Sequence, residues 1–477
     1  MRKHLPTTLI ASLVVLAVAP THASARKDQV SIIQDDARVL SGSTREATLD
    51  EMKGLGADVV KVTVFWRDVA ADQPANGEDP GAYPAAKWAT YDSAIQGIVA
   101  RGLQPFVDVS GPAPDWATPK RSDPPGAYRP NAGEFGKFAK AVGTRYSGSG
   151  ALPAVRLWSV WNEPNLPRFL LPQRGSDRRH TPVSPTLYRR LYLAARSGLG
   201  ASGHGSDTIL MGELLPVGKS SRSPRSSLRP LEFLRELACV DRHFRAYRGS
   251  AAKARGCKGY KAIPVTGVAY HPYALAGGPT RRPPNRDDAS IGTLSRVTRT
   301  LDRLRSHGRF SGPKRIPLWL TEFGVQTDPP DFLFGAPIKR VPGYLGLSER
   351  LAFRNSRVRS YSQYPLVDDS SNNGFQSGLR FSNGKPKPGV YAEYRMPIYV
   401  TRSGSSSVHF FGGVRAADGG GSVVLESKRG KGKWTKLKTV ELGARGYFNV
   451  RARASGASRR QYRFSYGTTR SIVVVAH

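Results

Sequence analysis

Residues 155–165 read Val155-Arg156-Leu157-Trp158-Ser159-Val160-Trp161-Asn162-Glu163-Pro164-Asn165. The run from Val155 to Trp161 is apolar and predicts a buried strand. It ends on a carboxylate. An acidic group closing an apolar strand is expensive to bury unless it is paired or used.

Three more strand candidates lie upstream: Val30 to Gln34, Val59 to Trp66, and Pro105 to Val109. Helical patterns separate them. Ser43-Thr44-Arg45-Glu46 has the form of a capping box, followed by Leu49, Met52 and Leu55 at helical spacing and Gly56 as a stop. Trp88, Tyr91, Ile95 and Ile98 mark a second helix, ended by Gly102. Asn131 to Glu134 predicts a cap before Phe135, Phe138 and Val142. Downstream, Thr208 to Leu214, Val265 to Tyr270, Ile316 to Thr321 and Tyr361 to Val367 read as strands. Helices opening at Ser184-Pro185 and Ser290 fall among them. Eight strands alternating with helices predict a (β/α)8 TIM barrel with long loops. An open doubly wound sheet is the rival, but no Gly-rich nucleotide loop follows the first strand.

After Pro397 the texture changes. Short alternating runs divided by Gly-rich turns cover Val408 to Phe411, Ser422 to Glu426, Trp434 to Val440, Tyr447 to Arg451, Tyr462 to Tyr466 and Ile472 to Val475. They predict a small all-β sandwich. Residues 1–25 have the form of a signal peptide, with Arg2 and Lys3, an apolar Leu9 to Val18, and Ala23-Ser24-Ala25 before the cut. The expected organisation is therefore 1–25 leader, 26–397 barrel and 398–477 sandwich. Secretion to the extracellular side follows as an expectation. No other run is long enough for a membrane span. In an exported protein the two cysteines, Cys239 and Cys257, suggest one disulfide, with two buried thiols as the alternative.

The chain of 477 residues carries a formal net charge of +36. Such a value suggests nucleic acid, anionic surfaces or acidic polymers as partners. The positive charge is spread along the chain and no nucleic-acid recognition motif is present, so nucleic acid ranks low. Residues 401–477 hold fifteen Lys and Arg against three acids, a net of +12. That segment is the candidate for electrostatic contact with acidic wall polymers. No metal-ligand spacing and no nucleotide fingerprint appears, so no metal and no cofactor is expected.

A second carboxylate closes a second strand, in Leu318-Trp319-Leu320-Thr321-Glu322-Phe323-Gly324. At the carboxyl ends of barrel strands, Glu163 and Glu322 would face one another across the mouth. That is the arrangement of a glycosidase pair. The W-N-E-P-N and T-E-F-G strings resemble those of clan A glycoside hydrolases, the retaining β-glycosidases, closest to the cellulase-like family 5 and family 39-like branches. The resemblance covers roughly residues 30–395. It implies a secreted retaining hydrolase of a β-linked polysaccharide or oligosaccharide. Glu163 would be the acid/base and Glu322 the nucleophile. Asn162 would bind the sugar 2-hydroxyl, Tyr273 would donate to the nucleophile, and His271 would line the subsite. Lys61 stands where many clan members carry an Arg that braces the nucleophile. Lysine lacks the bidentate fork of arginine. The alternative is a non-catalytic carbohydrate- or polymer-binding protein on the same scaffold.

Like-charge repulsion from Glu322 about 5 Å away is expected to raise the pKa of Glu163. Trp66, Trp116 and, less strongly, Trp161 are candidate sugar platforms, each with a place in the core as the alternative. Glu213, at the end of the fifth strand, is read as structural, with a third active-site carboxylate as the alternative.

Overall fold

The computed structural model describes residues 28–477 apart from 333–334, 372–373 and 418–419. The expected leader lies outside the described residues. Eight strands close a barrel: β1 (Val30–Gln34), β2 (Val59–Phe65), β3 (Gln104–Ser110), β4 (Leu157–Val160), β5 (Thr208–Leu214), β6 (Gly267–Tyr270), β7 (Leu318–Leu320) and β8 (Val358–Gln363). Every neighbouring pair is parallel, and β8 returns to β1. At least one helix of six residues or more follows each strand: α1 (Arg45–Gly54), α2 (Ala85–Ala100), α3 (Ala132–Arg145), α4 (Ser184–Leu199), α5 (Pro230–Leu237), α6 (Leu294–Ser306), α7 (Val341–Phe353) and α8 (Val390–Arg395), with a further short one, Gly249–Ala254, after α5.

The β-branched runs are explained by burial on both sides of the sheet. On β2, Val60, Val62 and Val64 join the layer under the helices, whereas Val59 points into the barrel. Ile32, Val59, Phe106, Leu157, Leu210 and Ala269 fill the lower interior from six different strands. Further along the strands the buried residues turn polar, with Lys61, Asp108, Ser159, Glu213 and His271 all fully buried. That change from apolar to polar marks where packing stops and the site begins.

Two local expectations are corrected. Thr44, not Ser43, is the N-cap residue of α1, and its hydroxyl donates to the Arg38 carbonyl rather than capping the helix. Strand β8 begins at Val358 and stops at Gln363, short of the expected Val367. Pro365 has no N–H to give to the ladder. The expected cap at Asn131 does form, accepting from Gly133 N and Glu134 N at 2.9 and 3.2 Å. Cys239 and Cys257 form a disulfide within the long segment between β5 and β6. No described helix is long and apolar enough to cross a membrane.

The C-terminal part is two antiparallel sheets face to face. One holds β9 (Ile398–Arg402), β10 (Ser407–Gly413) and β13 (Tyr447–Arg453). The other holds β11 (Ser422–Arg429), β12 (Thr435–Glu441) and β14 (Arg460–Tyr466), with the short β15 (Thr469–Arg470) and β16 (Val474–Val475) paired to β14. Strand β9 was not among the runs read from the sequence. The layers share one core, in which Phe410 meets Tyr462 and Phe448 meets Phe464 edge to face at 5.5 and 5.0 Å.

This sandwich is fixed to the barrel through a buried junction. The rings of Phe353 on α7, Phe411 and Tyr447 lie 5.2 to 5.9 Å apart. Beneath them Arg415 pairs with Glu349 at 2.7 Å, and Tyr447 donates its hydroxyl to the same carboxylate. Gly56, in the turn before β2, has φ +79°, and a Cβ there would stand 2.5 Å from the backbone of Arg415 and Ala416. The contact is thus at the N-terminal end of the barrel strands. Arg415→Ala would leave the Glu349 carboxylate buried without its cation, a loss of about 3–5 kcal/mol. Urea unfolding of the two proteins measures this, and a loss below about 1 kcal/mol would show that the pair does not hold the junction.

Candidate active site

Strand β4 ends at Val160, and the chain then turns sharply. Trp161 and Glu163 both adopt left-handed backbone, with φ +68° and +38°. Such residues cost of order 1–3 kcal/mol each and persist only where surroundings over-determine them. Here Trp161 is fully buried, meets Phe135 edge-on at 5.1 Å and donates its indole N–H to Phe169 O at 3.1 Å. Asn162 N donates to Ser110 Oγ at 2.8 Å, and Glu163 N donates to Glu213 O at 3.1 Å. The turn aims Glu163 into the mouth.

Strand β5 carries a bulge, with its register against β6 shifting between Gly212 and Leu214. Gly212 has φ +120°, and a Cβ on it would lie 2.7 Å from Ala269 O, so only glycine fits. Glu213 follows at φ +62° and reaches the same interior cluster as Lys61 and His271.

The cluster is built as follows. His271 Nδ1 lies 2.9 Å from Glu163 Oε1 and 3.4 Å from Glu322 Oε2. His271 Nε2 faces Glu213 Oε2 at 3.5 Å, an ion-pair rather than a hydrogen-bond distance. Tyr273 donates its hydroxyl to Glu322 Oε2 at 2.9 Å. Lys61 Nζ donates to Glu213 Oε2 at 2.6 Å and stands 3.8 Å from Glu322 Oε1. Ser159 donates to Glu213 Oε1 at 2.8 Å. One oxygen of Glu163, one of Glu322 and a ring nitrogen of His271 all lie within 4.8 Å of one another. Each of the two carboxylate residues is 7 % exposed, so both are held in the protein yet reachable from the mouth.

Burial sets the protonation pattern. It pushes the Glu163 carboxyl up, His271 pulls it back, and the charges of Glu322 and Glu213 push it up again, for a net rise. The repulsion expected from Glu322 is therefore present but smaller than the effect of burial. Burial would also push Glu213 up, but Lys61 and then His271 bring it down to about 2. His271 is lowered by burial and raised more by the charge of Glu322, by its hydrogen bond to Glu163 and by the nearby Glu213 carboxylate, ending at about 10. Asp108, buried and close to the charge of Glu213, is raised well above the usual carboxylate range. At neutral pH the cluster thus holds an imidazolium, an ammonium and an ionised Glu213, with Glu163 shifted toward its protonated form.

Among the described residues, Glu163, His271 and Glu322 are the one grouping of His, Cys and carboxylates at metal-ligand spacing. An imidazolium has no lone pair to give a metal. As an imidazolium, His271 serves this grouping as an ion-paired donor between the two carboxylates.

Most residues named from the sequence meet here: Glu163, Glu322, His271, Tyr273 and Lys61. Asn162 lies beside them, and its Oδ1 is buried with no hydrogen-bond partner. Lys61 gives its short contact to Glu213 and only a longer one to Glu322. Glu213, read as structural, is the counter-ion of both Lys61 and His271. Trp66 is corrected: it is fully buried, with its rings against Phe135 and Phe138 at 5.3 and 6.0 Å, and offers no face to a sugar. Trp116 packs edge-on against Trp66 at 5.8 Å and donates its indole N–H to Ala70 O. Asp108 and Ser159 were not singled out. They sit opposite one another on β3 and β4, and their signal was a polar residue inside a Val- and Trp-rich strand.

No family model matches the chain, and no curated protein matches it in sequence. Solved structures do match. The GH39 enzyme from Xanthomonas axonopodis pv. citri is 14 % identical, with 96 % of this chain and 97 % of that one covered and a TM-score of 0.50. GH5_18 from Streptomyces cattleya, solved in complex with GlcNAc, is 14 % identical, with 78 % and 80 % covered and a TM-score of 0.50. These likenesses are of fold: the closed (β/α)8 barrel is shared with these two enzymes.

Proposed function

We propose that the chain is a secreted retaining glycoside hydrolase that cleaves β-linked glycosides by double displacement. The observation that carries this reading is the pair of buried carboxylates at the ends of β4 and β7, with oxygens within 4.8 Å. Retaining enzymes place the two carboxyl groups about 5–5.5 Å apart, and inverting ones about 6.5–9.5 Å apart to admit a water.

In the first step Glu322 attacks the anomeric carbon. The bond to the leaving oxygen breaks, and Glu163 passes its proton to that oxygen. A glycosyl ester on Glu322 and a free alcohol result. The raised pKa of Glu163 favours the protonated form that this step requires. The imidazolium of His271, 2.9 Å away, then stabilises the new Glu163 carboxylate. Esterification of Glu322 removes a neighbouring negative charge, so Glu163 stays ionised and can take a proton from water in the second step. Lys61 and Glu213 touch no reacting atom in this scheme; they neutralise one another and hold the field around Glu322.

Export is supported by the pattern of residues 1–25 and by the Cys239–Cys257 disulfide, which suits an oxidising compartment. The reading is tested by proton NMR of the sugar first released from a panel of aryl β-glycosides. The β-anomer should appear first and mutarotate afterwards. An initial α-anomer, or no hydrolysis of any glycoside, would sink it.

A further inference from the structure

A cavity of about 590 Å³ opens beside the carboxylate pair. That is within the range of about 300–1,000 Å³ that holds drug-sized ligands. Of the two carboxylates, only Glu163 lines it. The group that protonates the leaving oxygen must face the leaving group, so whatever departs from the sugar occupies this space. The statement rests on the assignment of Glu163 as acid.

The walls are mostly apolar. Leu215 and Val217 after β5, Leu275 after β6, Val325 after β7, and the rings of Tyr344 and Phe375 supply most of the large apolar surface. Alanines, glycines and prolines fill most of the rest. Phe375 stacks on Tyr273 at 6.4 Å and is 38 % exposed, an aromatic ring kept open to the cavity rather than packed away. The loop after β7 also carries Phe332, 77 % exposed, the most exposed large apolar side chain among the described residues. A pyranose needs several hydrogen-bond partners, and a site that leaves its hydroxyls unmatched rejects it. Besides Glu163 the polar side chains are Tyr344, Arg340, Tyr273 and Gln326, the last two already hydrogen-bonded within the protein.

We propose that this cavity is the leaving-group site for an apolar, non-carbohydrate aglycone, an alkyl or aryl alcohol, so that the enzyme releases a sugar from an amphiphilic β-glycoside. The apolar alcohol departs with the proton of Glu163, and its chain or ring stays against Val217, Leu275 and Phe375 until it diffuses out.

The test compares methyl and octyl β-glycosides and the β-linked disaccharide of one sugar, across glucose, xylose, galactose, mannose and N-acetylglucosamine. Each buried methylene is worth about threefold to fourfold. For the sugar that is accepted, kcat/KM on the octyl glycoside should exceed that on the methyl glycoside and on the disaccharide by about tenfold or more. Val217→Asp and Leu275→Gln, both at partly exposed positions, should each erase most of that preference by lowering the octyl rate far more than the methyl rate. Equal rates on octyl and methyl glycosides, or preference for the disaccharide, would overturn the proposal with the hydrolase reading intact. If nothing is cleaved, the hydrolase reading fails, and calorimetry with octyl and methyl 1-thio-β-glycosides decides the pocket alone. Tighter octyl binding that is lost in Val217→Asp supports it, and equal affinities, or no binding of either, overturn it.

Discussion

Replacing Glu322 with glycine should reduce turnover of any accepted β-glycoside by more than about 10³-fold, because the bond-forming group is lost and no other carboxylate can reach the same face. Glu213, the nearest substitute, is held by Lys61 at 2.6 Å and Ser159 at 2.8 Å with its charge already satisfied. The variant should still fold. Lys61 and His271 both keep Glu213 as a partner, so neither cation is stranded. Added azide should partly restore cleavage of an activated aryl β-glycoside. It would enter the space vacated by the side chain, attack from the nucleophile's face and give a glycosyl azide of inverted configuration. A Glu322→Gly enzyme that stays within tenfold of the wild-type rate would remove residue 322 from the chemistry.

Replacing Glu163 with alanine should give a different pattern. General acid–base assistance contributes about 10²–10⁴-fold, and the loss should fall in that range for alcohols that leave poorly. Aryl glycosides with strongly acidic phenols need little proton donation, so their first step should be nearly spared and the glycosyl enzyme should accumulate. Azide should again accelerate turnover, but by attacking the ester from the face where water would enter, so the product retains its configuration. The pH profile supplies a second readout. Glu163 must be protonated in the first step, and burial raises its pKa. The wild-type rate should therefore fall as pH rises through that raised value, and the alanine variant should lose this basic limb. Azide products with the two stereochemical outcomes exchanged would mean that the roles of 163 and 322 are exchanged.

Much of the fold was legible because barrel strands are buried on two sides and read as short apolar runs between helical periods. The site was legible where the polar residue sits at a strand end or breaks a run of valines. Trp66 shows what was overlooked. It follows Val60, Val62 and Val64 at the same parity, and these side chains face the helices, so its ring was bound for the core. Lys61, of the other parity, had to face the interior. Parity fails at Glu213 for a physical reason. Leu210 points inward, so a regular strand would turn residue 213 outward, and only the bulge at Gly212 redirects it. A left-handed glycine wedged against Ala269 O is a property of two strands together and leaves no mark in one of them. Tyr344 and Phe375 were invisible for a similar reason: one lies on α7 and the other in the loop after β8, and only folding brings them to one cavity.

The place where the sandwich docks has a directional meaning. Arg415, Ala416 and Arg445 meet the barrel around Gly56 and Asp58, before β2 begins, while Glu163 and Glu322 lie past the far ends of β4 and β7. The junction is ringed by aromatics and closed by a buried ion pair, so the two parts turn as one body. A polyanion gripped by the basic sandwich would lie under the enzyme, with the cleft looking the other way. The molecule would then graze what drifts past the surface it stands on and leave the ground beneath it untouched.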